Sequence, residues 1–298
     1  MSPTLHHPAG TLSDGDLAVS LTPAQAGWSY SGLVVLSLAP GVERSIDLGD
    51  SEGCVLPLSA IDVDAAIDGE RFHLDGRVSV FDRVTDFAYA PRGATVVVTA
   101  AGGGEVAIAT ARCDRRLAAR YGSADDVAVE LRGSGPATRQ VNNFMSPEAW
   151  PEADKLMCVE LITPDGNWSS YPPHRHDDSP ECPVNNEEIY YFRIGLAGSS
   201  AYSAEGFGMH RTYTPDGEID INVVIHDGDV FCVPRGYHGP CIAAPGYPMY
   251  YLNVLAGPGG ERSMAFCDDP THHWVRDTWA DMATDPRCPM TTKDGRTA

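Results

Sequence analysis

Short apolar runs separated by turn residues extend along most of the chain. From about residue 27 to residue 114, runs rich in β-branched and aromatic residues, such as 28–38 and 95–99, alternate with Gly, Pro and Asp. A second series begins near residue 147 and includes 188–194 and 249–255. Regularly spaced short strands with turn signals between them are typical of a β-sandwich or barrel. The pattern therefore predicts an all-β fold with two successive groups of strands.

The two groups share one short motif. Residues 90–95 (APRGAT) match residues 233–238 (VPRGYH), and in each case one apolar strand precedes the motif and another follows it. Repetition of a structural unit predicts a duplicated architecture. On this alignment Thr95 takes the position of His238, so the first copy lacks that imidazole.

We divide the chain into three predicted segments on this basis. Residues 1–137 form an N-terminal lobe that lacks metal ligands, and residues 138–267 form a metal-binding lobe. Residues 268–298 differ in character and form a tail that we expect to pack on the barrels.

The tail contains one helix signal. Pro270 follows Asp269, and proline at the first position after an N-cap residue predicts the start of a short helix. Trp274 and Trp279 lie within this predicted helix. We expect both indole rings to contact a barrel.

Composition restricts the classes of partner. The 298-residue chain has a formal net charge of -20 and a pI of about 4.7. Because phosphate binding relies on basic patches, nucleic acid is not an expected partner. The N-terminal residues carry no basic segment followed by an apolar run, and no run reaches the roughly 18 to 20 apolar residues that cross a bilayer. The eight cysteines have no paired spacing, so we expect a cytoplasmic protein with reduced thiols and no membrane partner.

Four side chains carry the candidate chemistry. His174 and His176 follow two prolines and point to the same side of an extended segment, because side chains on a strand alternate. Glu188 opens the next strand, and His238 follows the 233–238 turn. Imidazole and carboxylate suit zinc, manganese, iron or nickel. A His-x-His pair is also found without a metal, but the order His-x-His, Glu, Gly, Pro, Gly, His resembles the two-part cupin pattern and favours a site of three His and one Glu.

Longer motifs resemble one family in particular. They are similar to the 5-deoxy-glucuronate isomerases of myo-inositol catabolism and, more distantly, to the 5-keto-4-deoxyuronate ketol-isomerases. The segments that carry this resemblance are 26–28 (AGW), 168–177 (WSSYPPHRHD), 187–193 (EEIYYFR), 234–238 (PRGYH) and 246–254 (GYPMYYLNV). Two residues depart from the expected pattern: Gly239, where proline is expected, and His210, where an amide is expected.

The resemblance implies a fold, a reaction and a cofactor. The fold would be a bicupin, with two tandem double-stranded β-helix (jelly-roll-like) barrels and a short helical C-terminal tail. The reaction would be the aldose–ketose isomerisation of 5-deoxy-D-glucuronate to 2-deoxy-5-keto-D-gluconate through an enediol. A divalent metal ion would polarise the carbonyl group. The partner would be an anionic sugar acid, and since cupins often dimerise, a homodimer is a candidate assembly.

Proton transfer requires further residues. Glu187 is the carboxylate nearest to the ligands in sequence, although strand alternation turns it away from Glu188. Tyr190 and Tyr251 are candidate acids or hydrogen-bond donors. The alternative for both tyrosines is that they fill the barrel interior.

The substrate carboxylate requires a cation, preferably a guanidinium. Arg211 is the favoured candidate among the arginines of the motif-bearing lobe, which are Arg175, Arg193, Arg211 and Arg235. Tyr213 is a further candidate hydrogen-bond donor. His210 is expected either to orient a ligand or to lie on the surface. The alternative functions are a cupin-type metal-dependent dioxygenase and a non-catalytic sugar-binding bicupin.

Overall fold

The computed structural model describes residues 4–297. Residues 1–3 of the predicted first lobe and residue 298 of the predicted tail lie outside the described residues. The turn residues divide the chain into short strands, as the apolar pattern predicts. In the first half these are β1 (His6–His7), β2 (Leu17–Leu21), β3 (Ser31–Leu38), β4 (Arg44–Asp47), β5 (Ser51–Pro57), β6 (Ile61–Ile67), β7 (Glu70–Gly76), β8 (Phe87–Ala90), β9 (Thr95–Ala100), β10 (Gly104–Arg112), β11 (Arg120–Gly122) and β12 (Ala128–Arg132).

Strands also dominate the second half. They are β13 (Arg139–Met145), β14 (Met157–Thr163), β15 (Trp168–Ser169), β16 (His174–Arg175), β17 (Glu187–Ile194), β18 (Gly208–Tyr213), β19 (Asp220–Ile225), β20 (Val230–Val233), β21 (Tyr237–Ala243), β22 (Met249–Ala256), β23 (Cys267–Asp268), β24 (Thr291–Thr292) and β25 (Gly295–Arg296). Helices within residues 4–297 are short: one α-helix, Pro23–Ala26, and the 3-10 helices Ala124–Asp126, Gly135–Ala137 and His273–Asp281.

The strand order repeats between the two halves. In the first, a large sheet contains β8-β5-β10-β3-β2 and a small sheet contains β4-β9-β6-β7. In the second, the large sheet contains β20-β17-β22-β14-β13 and the small sheet β16-β21-β18-β19. Each of these strands thus has a counterpart in the other half, which confirms the predicted all-β fold of two tandem barrels. Strands β1 and β12 extend the second large sheet, and the predicted boundary at residue 137 stays a prediction.

The two large sheets pack against each other. Side chains such as Val35 and Tyr89 from the first barrel and Tyr191 and Leu252 from the second form one continuous buried core between them. Each barrel also has its own interior cluster. The second large sheet is therefore buried on both faces, one towards the other lobe and one towards its own barrel.

One of the two tail tryptophans meets the second barrel. The ring of Trp279 lies 5.8 Å from the guanidinium carbon of Arg139. Trp274 remains 61% exposed, so the expectation that it packs on a barrel is wrong. The tail helix begins after His272 rather than at Pro270, and the Asp269 carboxylate accepts the N–H of Thr271.

Among the described residues, 4–297, no helix is long and apolar enough to cross a membrane.

Candidate metal centre

Strand β17 distributes its side chains to two different environments. Tyr190 and Phe192 belong to the interior cluster of the second barrel, whereas Ile189 and Tyr191 belong to the core between the lobes. This is the alternation expected of a strand in a sheet with both faces buried. Glu188, two residues before Tyr190, therefore also faces the barrel interior.

Three polar side chains converge next to β17. His176, Glu188 and His238, here called the His–Glu–His cluster, each offer one ligand atom, and these atoms lie within 4.8 Å of one another. Nε2 of His176 is 2.9 Å from Oε2 of Glu188, and Nε2 of His238 is 3.0 Å from the same oxygen. All three residues are buried.

His174 lies at the edge of this cluster. It pairs with His238 across β16 and β21, and the centroids of the two imidazole rings are 4.4 Å apart. Its ring centroid is 6.4 Å from that of His176. Nδ1 of His174 lies 3.2 Å from the carbonyl oxygen of Pro172, which leaves Nε2 as its candidate ligand atom.

The electrostatics of the cluster suit metal binding. Burial disfavours the charged form of Glu188, but attraction to His238 and His176 outweighs it and holds the pKa of this carboxyl well below its usual range. Burial also lowers the pKa values of His174 and His238, which favours neutral imidazoles. For His176, burial is outweighed by Glu188, and the pKa is raised. The ionised Glu188 and the neutral imidazoles of His174 and His238 are in the form that binds a cation, whereas His176 would release its proton when a cation binds.

The ring nitrogens of His238 also indicate a cation site. Both ring nitrogens of His238 are buried without a hydrogen-bond partner, although Glu188 is close. Buried polar atoms are rarely left without a partner. A divalent ion among the imidazoles and the carboxylate would supply that partner, and nitrogen and oxygen donors of this kind suit zinc, manganese, iron or nickel.

A cavity of about 490 Å³ opens onto the cluster. Its wall combines the candidate ligands His174, His176 and Glu188 with apolar side chains of β14 and residues of the tail helix. The other polar residues on which the chemistry could depend are Arg139, Ser170, Tyr190 and Asn253. The site is thus a buried polar cluster that a small molecule can reach.

A chain of hydroxyl groups runs beside the cluster. The Ser170 hydroxyl lies 3.2 Å from that of Tyr190 and 3.0 Å from that of Tyr251. The Tyr251 hydroxyl donates to Ser169 over 3.1 Å. Burial is the largest of the effects that raise the pKa values of both tyrosines, so both phenols stay protonated at neutral pH.

Gly239 allows this arrangement. Its φ is +99°, and a Cβ built on it would lie 1.8 Å from the carbonyl oxygen of Ser170. No side chain fits there unless the backbone moves. The glycine that departs from the expected motif is thus required locally by the close approach of two backbone segments.

A known protein family and named relatives match the chain over most of its length. The model of the KduI/IolB family matches residues 5–275. The chain belongs to the KduI/IolB family. A relative from Geobacillus kaustophilus, named 5-deoxy-glucuronate isomerase, is 39% identical over 275 residues, which cover 91% of this chain and 95% of the relative. A relative of the same name from Bacillus subtilis is 33% identical over 262 residues, with 87% and 92% covered. The family resemblance predicted from the motifs is confirmed.

Solved structures agree with this assignment to the KduI/IolB family. An IolB-like protein from Salmonella typhimurium matches with a TM-score of 0.82 and 31% identity, over 91% of this chain and 99% of that protein. Oxalate decarboxylase from Lactobacillus farciminis matches with a TM-score of 0.60 and 11% identity, over 88% of each chain. At that identity the second match shows the fold alone, and it supports the predicted bicupin architecture.

Within this KduI/IolB fold, Glu187 points away from the cluster. Its carboxylate accepts the backbone N–H groups of Ser29, Tyr30 and Ser31 over 2.7, 2.8 and 2.8 Å. These residues lead into β3 of the other lobe. The position argues against the expected catalytic role, because strand alternation directs the side chain to the interlobe face.

The arginines expected to bind substrate are already paired. Arg193 bonds to Asp227 and Glu105 at the lobe interface, and Arg211 bonds to Asp220 on the surface. Neither lines the cavity. These pairings argue against the expectation that Arg211 or Arg193 binds the substrate carboxylate.

Tyr213 and His210 also lie outside the cavity wall. The Tyr213 hydroxyl donates to Asp269. His210 is buried rather than on the surface, with Nδ1 3.1 Å from Sγ of Cys241 and its ring 4.4 Å from that of Phe231. These contacts do not support a direct role for either residue in binding substrate.

Several polar residues of the cavity wall were not predicted from the sequence, among them Arg139 and Asn253. Arg139 alternates with Val141 on β13, and Asn253 lies between Tyr251 and Leu255 on the inward face of β22. The available signal was the period of two: a polar residue that shares an inward face with apolar residues lies inside the barrel.

Proposed function

We propose that this protein is a metal-dependent aldose–ketose isomerase that converts 5-deoxy-D-glucuronate to 2-deoxy-5-keto-D-gluconate. The observation that carries the proposal is the buried His–Glu–His cluster, open to a cavity, in a chain whose relatives are named 5-deoxy-glucuronate isomerase. The reaction moves a proton from one carbon to the next. The aldehyde carbon is reduced to an alcohol while the adjacent hydroxyl-bearing carbon is oxidised to a ketone, so the two changes balance. No external oxidant or reductant is required.

The ligands in this proposal are His174, His176, Glu188 and His238. His176, Glu188 and His238 form the compact cluster, and the ring of His174 lies beside that of His238. A zinc, manganese, iron or nickel ion held there would act as a Lewis acid that polarises the substrate carbonyl group. Protein side chains must supply the hydrogen bonds to the substrate and exclude bulk water.

Tyr190 is proposed to donate a hydrogen bond to the reacting substrate, and Tyr251 to position Tyr190. Tyr190 lines the cavity, and its hydroxyl is linked through Ser170 to that of Tyr251. A protonated phenol can donate a hydrogen bond to the oxygen on which negative charge develops as the substrate loses its proton. Ser170 and Tyr251 hold that phenol in place, and the apolar wall excludes bulk water.

The test combines metal loading with a direct assay of the reaction. The protein is stripped with a chelator, reloaded with each candidate metal, and supplied with 5-deoxy-glucuronate in deuterated water. We expect NMR to show the ketose product with solvent deuterium, only after metal is restored. Glu188→Gln, which keeps the shape but loses the charge, should bind metal poorly by elemental analysis and lose turnover.

The matched control is Glu130→Gln. Glu130 is a carboxylate on the cavity wall that pairs with Arg132 outside the cluster, and its variant should load metal normally. Product formation that survives chelation, or that is undiminished in Glu188→Gln, would contradict the metal-dependent mechanism. Oxygen consumption with ferrous iron would point to a dioxygenase. Binding of the uronate without turnover in any metal form would favour a non-catalytic bicupin.

A further inference from the structure

Three arginines line the cavity, and their pairing differs. Arg132 donates to Glu130 over 2.9 Å. Arg276 forms two bonds with Asp268. Arg139 has no carboxylate within ion-pair distance in residues 4–297. An arginine already paired with a carboxylate has little capacity left for an anionic ligand, so the three are not equivalent.

Arg139 is also the most deeply buried of the three. It is 6% exposed. Its Nη1 donates to the carbonyl oxygen of Ala137 over 3.2 Å, while its Nε is buried without a partner. Burial is the main cause that lowers the pKa of Arg139 to about 10, so the guanidinium remains charged at neutral pH. A buried charge without a counter-ion costs folding free energy, and an anionic ligand would supply the missing partner.

A second group without a partner lines the same cavity. Oδ1 of Asn253 is buried and accepts no hydrogen bond. Asn253 pairs directly with Tyr190 across β22 and β17, and so lies next to the proposed hydrogen-bond donor. A guanidinium without an anion and an amide oxygen without a donor together match a ligand with a carboxylate and hydroxyl groups.

We propose that Arg139 binds the carboxylate of the sugar acid and thereby selects a uronate over a neutral aldose. This inference rests on the proposed function for the identity of the substrate. In 5-deoxy-glucuronate the aldehyde and the carboxylate are at opposite ends of a six-carbon chain. Arg139 on β13 and Glu188 on β17 are separated by β14 and β22 in the same sheet and line one cavity. The carboxylate end is bound at β13, and the reacting end reaches the cluster.

The first test pairs a change in the enzyme with a change in the substrate. Arg139→Met is assayed on 5-deoxy-glucuronate and on 5-deoxy-glucose, which has a hydroxymethyl group in place of the carboxylate. We expect KM for the uronate to rise about 100-fold, from loss of a forked, charge-assisted contact, with little change for the neutral sugar. Arg139→Lys should recover part of the loss, since it restores the charge but not the fork.

Arg211→Met is the matched control. Arg211 is paired with Asp220 on the surface, outside the cavity, and its loss should leave both KM values unchanged. Arg139→Met should unfold at the same or a higher urea concentration than wild type, because it removes an unpaired buried charge. Equal loss on both sugars, or no loss on either, would overturn the proposal.

The second test does not depend on turnover. Calorimetry compares the binding of gluconate and of uncharged sorbitol to the metal-loaded protein. Wild type and Arg211→Met should bind gluconate more tightly, and Arg139→Met should lose most of that preference. If this result is obtained but no uronate is isomerised, the anion site stands and the proposed function fails. If the uronate is isomerised but Arg139→Met retains the full preference for gluconate, the proposed function is supported and the proposal that Arg139 binds the carboxylate is refuted.

Discussion

The Glu187 carboxylate connects β17 to the first lobe, so substitution of Glu187 tests whether this residue is structural or catalytic. Its carboxylate accepts three backbone N–H groups, from Ser29 to Ser31, that lead into β3 of the first lobe. Glu52 does the same in the opposite direction: it accepts the N–H groups of Asp154, Lys155 and Leu156, which lead into β14. The two glutamates begin equivalent strands, β17 and β5. The duplicated lobes are thus joined by a reciprocal pair of carboxylates.

The cost of losing this contact follows from the burial of its donors. Glu187→Ala leaves the N–H groups of Ser29, Tyr30 and Ser31 without an acceptor. Ser29 is exposed, so water can replace the carboxylate there, whereas Ser31 is fully buried. A buried donor left unsatisfied costs about 1–3 kcal/mol. Tyr30 is half-buried, so two of the three donors are affected, and we expect the free energy of unfolding to fall by about 2–6 kcal/mol.

The assay is urea unfolding of the metal-loaded protein followed by fluorescence, together with kcat for the folded variants. Glu187→Gln keeps one acceptor oxygen and should lose less stability than Glu187→Ala. Glu52→Ala should lose more than either, because Glu52 is fully buried and also accepts from the Tyr89 hydroxyl. We expect kcat of Glu187→Gln to stay within a few-fold of wild type. A fall of about 1,000-fold in kcat without loss of stability would show that Glu187 is the catalytic base and would refute this reasoning.

Three other changes test the interior of the second barrel. Tyr190→Phe should lower kcat by about 100-fold with little change in KM, because it removes the proposed hydrogen-bond donor. Steady-state kinetics should show the same fall in kcat with the uronate and with the neutral sugar. An unchanged kcat would contradict the proposed role. Burial lowers the pKa of His210 to about 3 from an ordinary value of 6.5, so the unfolded state takes up the proton first and stability is lost as pH falls from about 6.5 towards 3, by up to about 1.4 kcal/mol per pH unit. His210→Asn should reduce the slope in urea titrations at pH 4–6, to which the lowered pKa values of His174 and His238 also contribute, and an unchanged slope would show that His210 does not contribute. Gly239→Ala should destabilise the fold by roughly 1–3 kcal/mol, because its Cβ would meet the Ser170 carbonyl; an unchanged unfolding midpoint would contradict that close approach.

Alternation and repetition in the sequence were sufficient to predict the fold. The apolar runs predicted the strands, and the 90–95 and 233–238 motifs predicted that the halves are copies, which the repeated strand order confirms. The period of two placed Glu188 and Tyr190 on one face and Glu187 on the other, as found. These features are local, because a strand alternates its side chains whatever lies on either side of it.

The partners of the charged groups were decided only by the tertiary structure. Arg193 meets Glu105 from the other lobe, 88 positions away, while Arg139 meets no carboxylate among the described residues. Nothing in the neighbouring sequence distinguishes these two arginines. Whether a guanidinium is already neutralised or free to bind an anion depends on which distant segments fold against it, since an ion pair forms through space over a few ångströms and not along the chain.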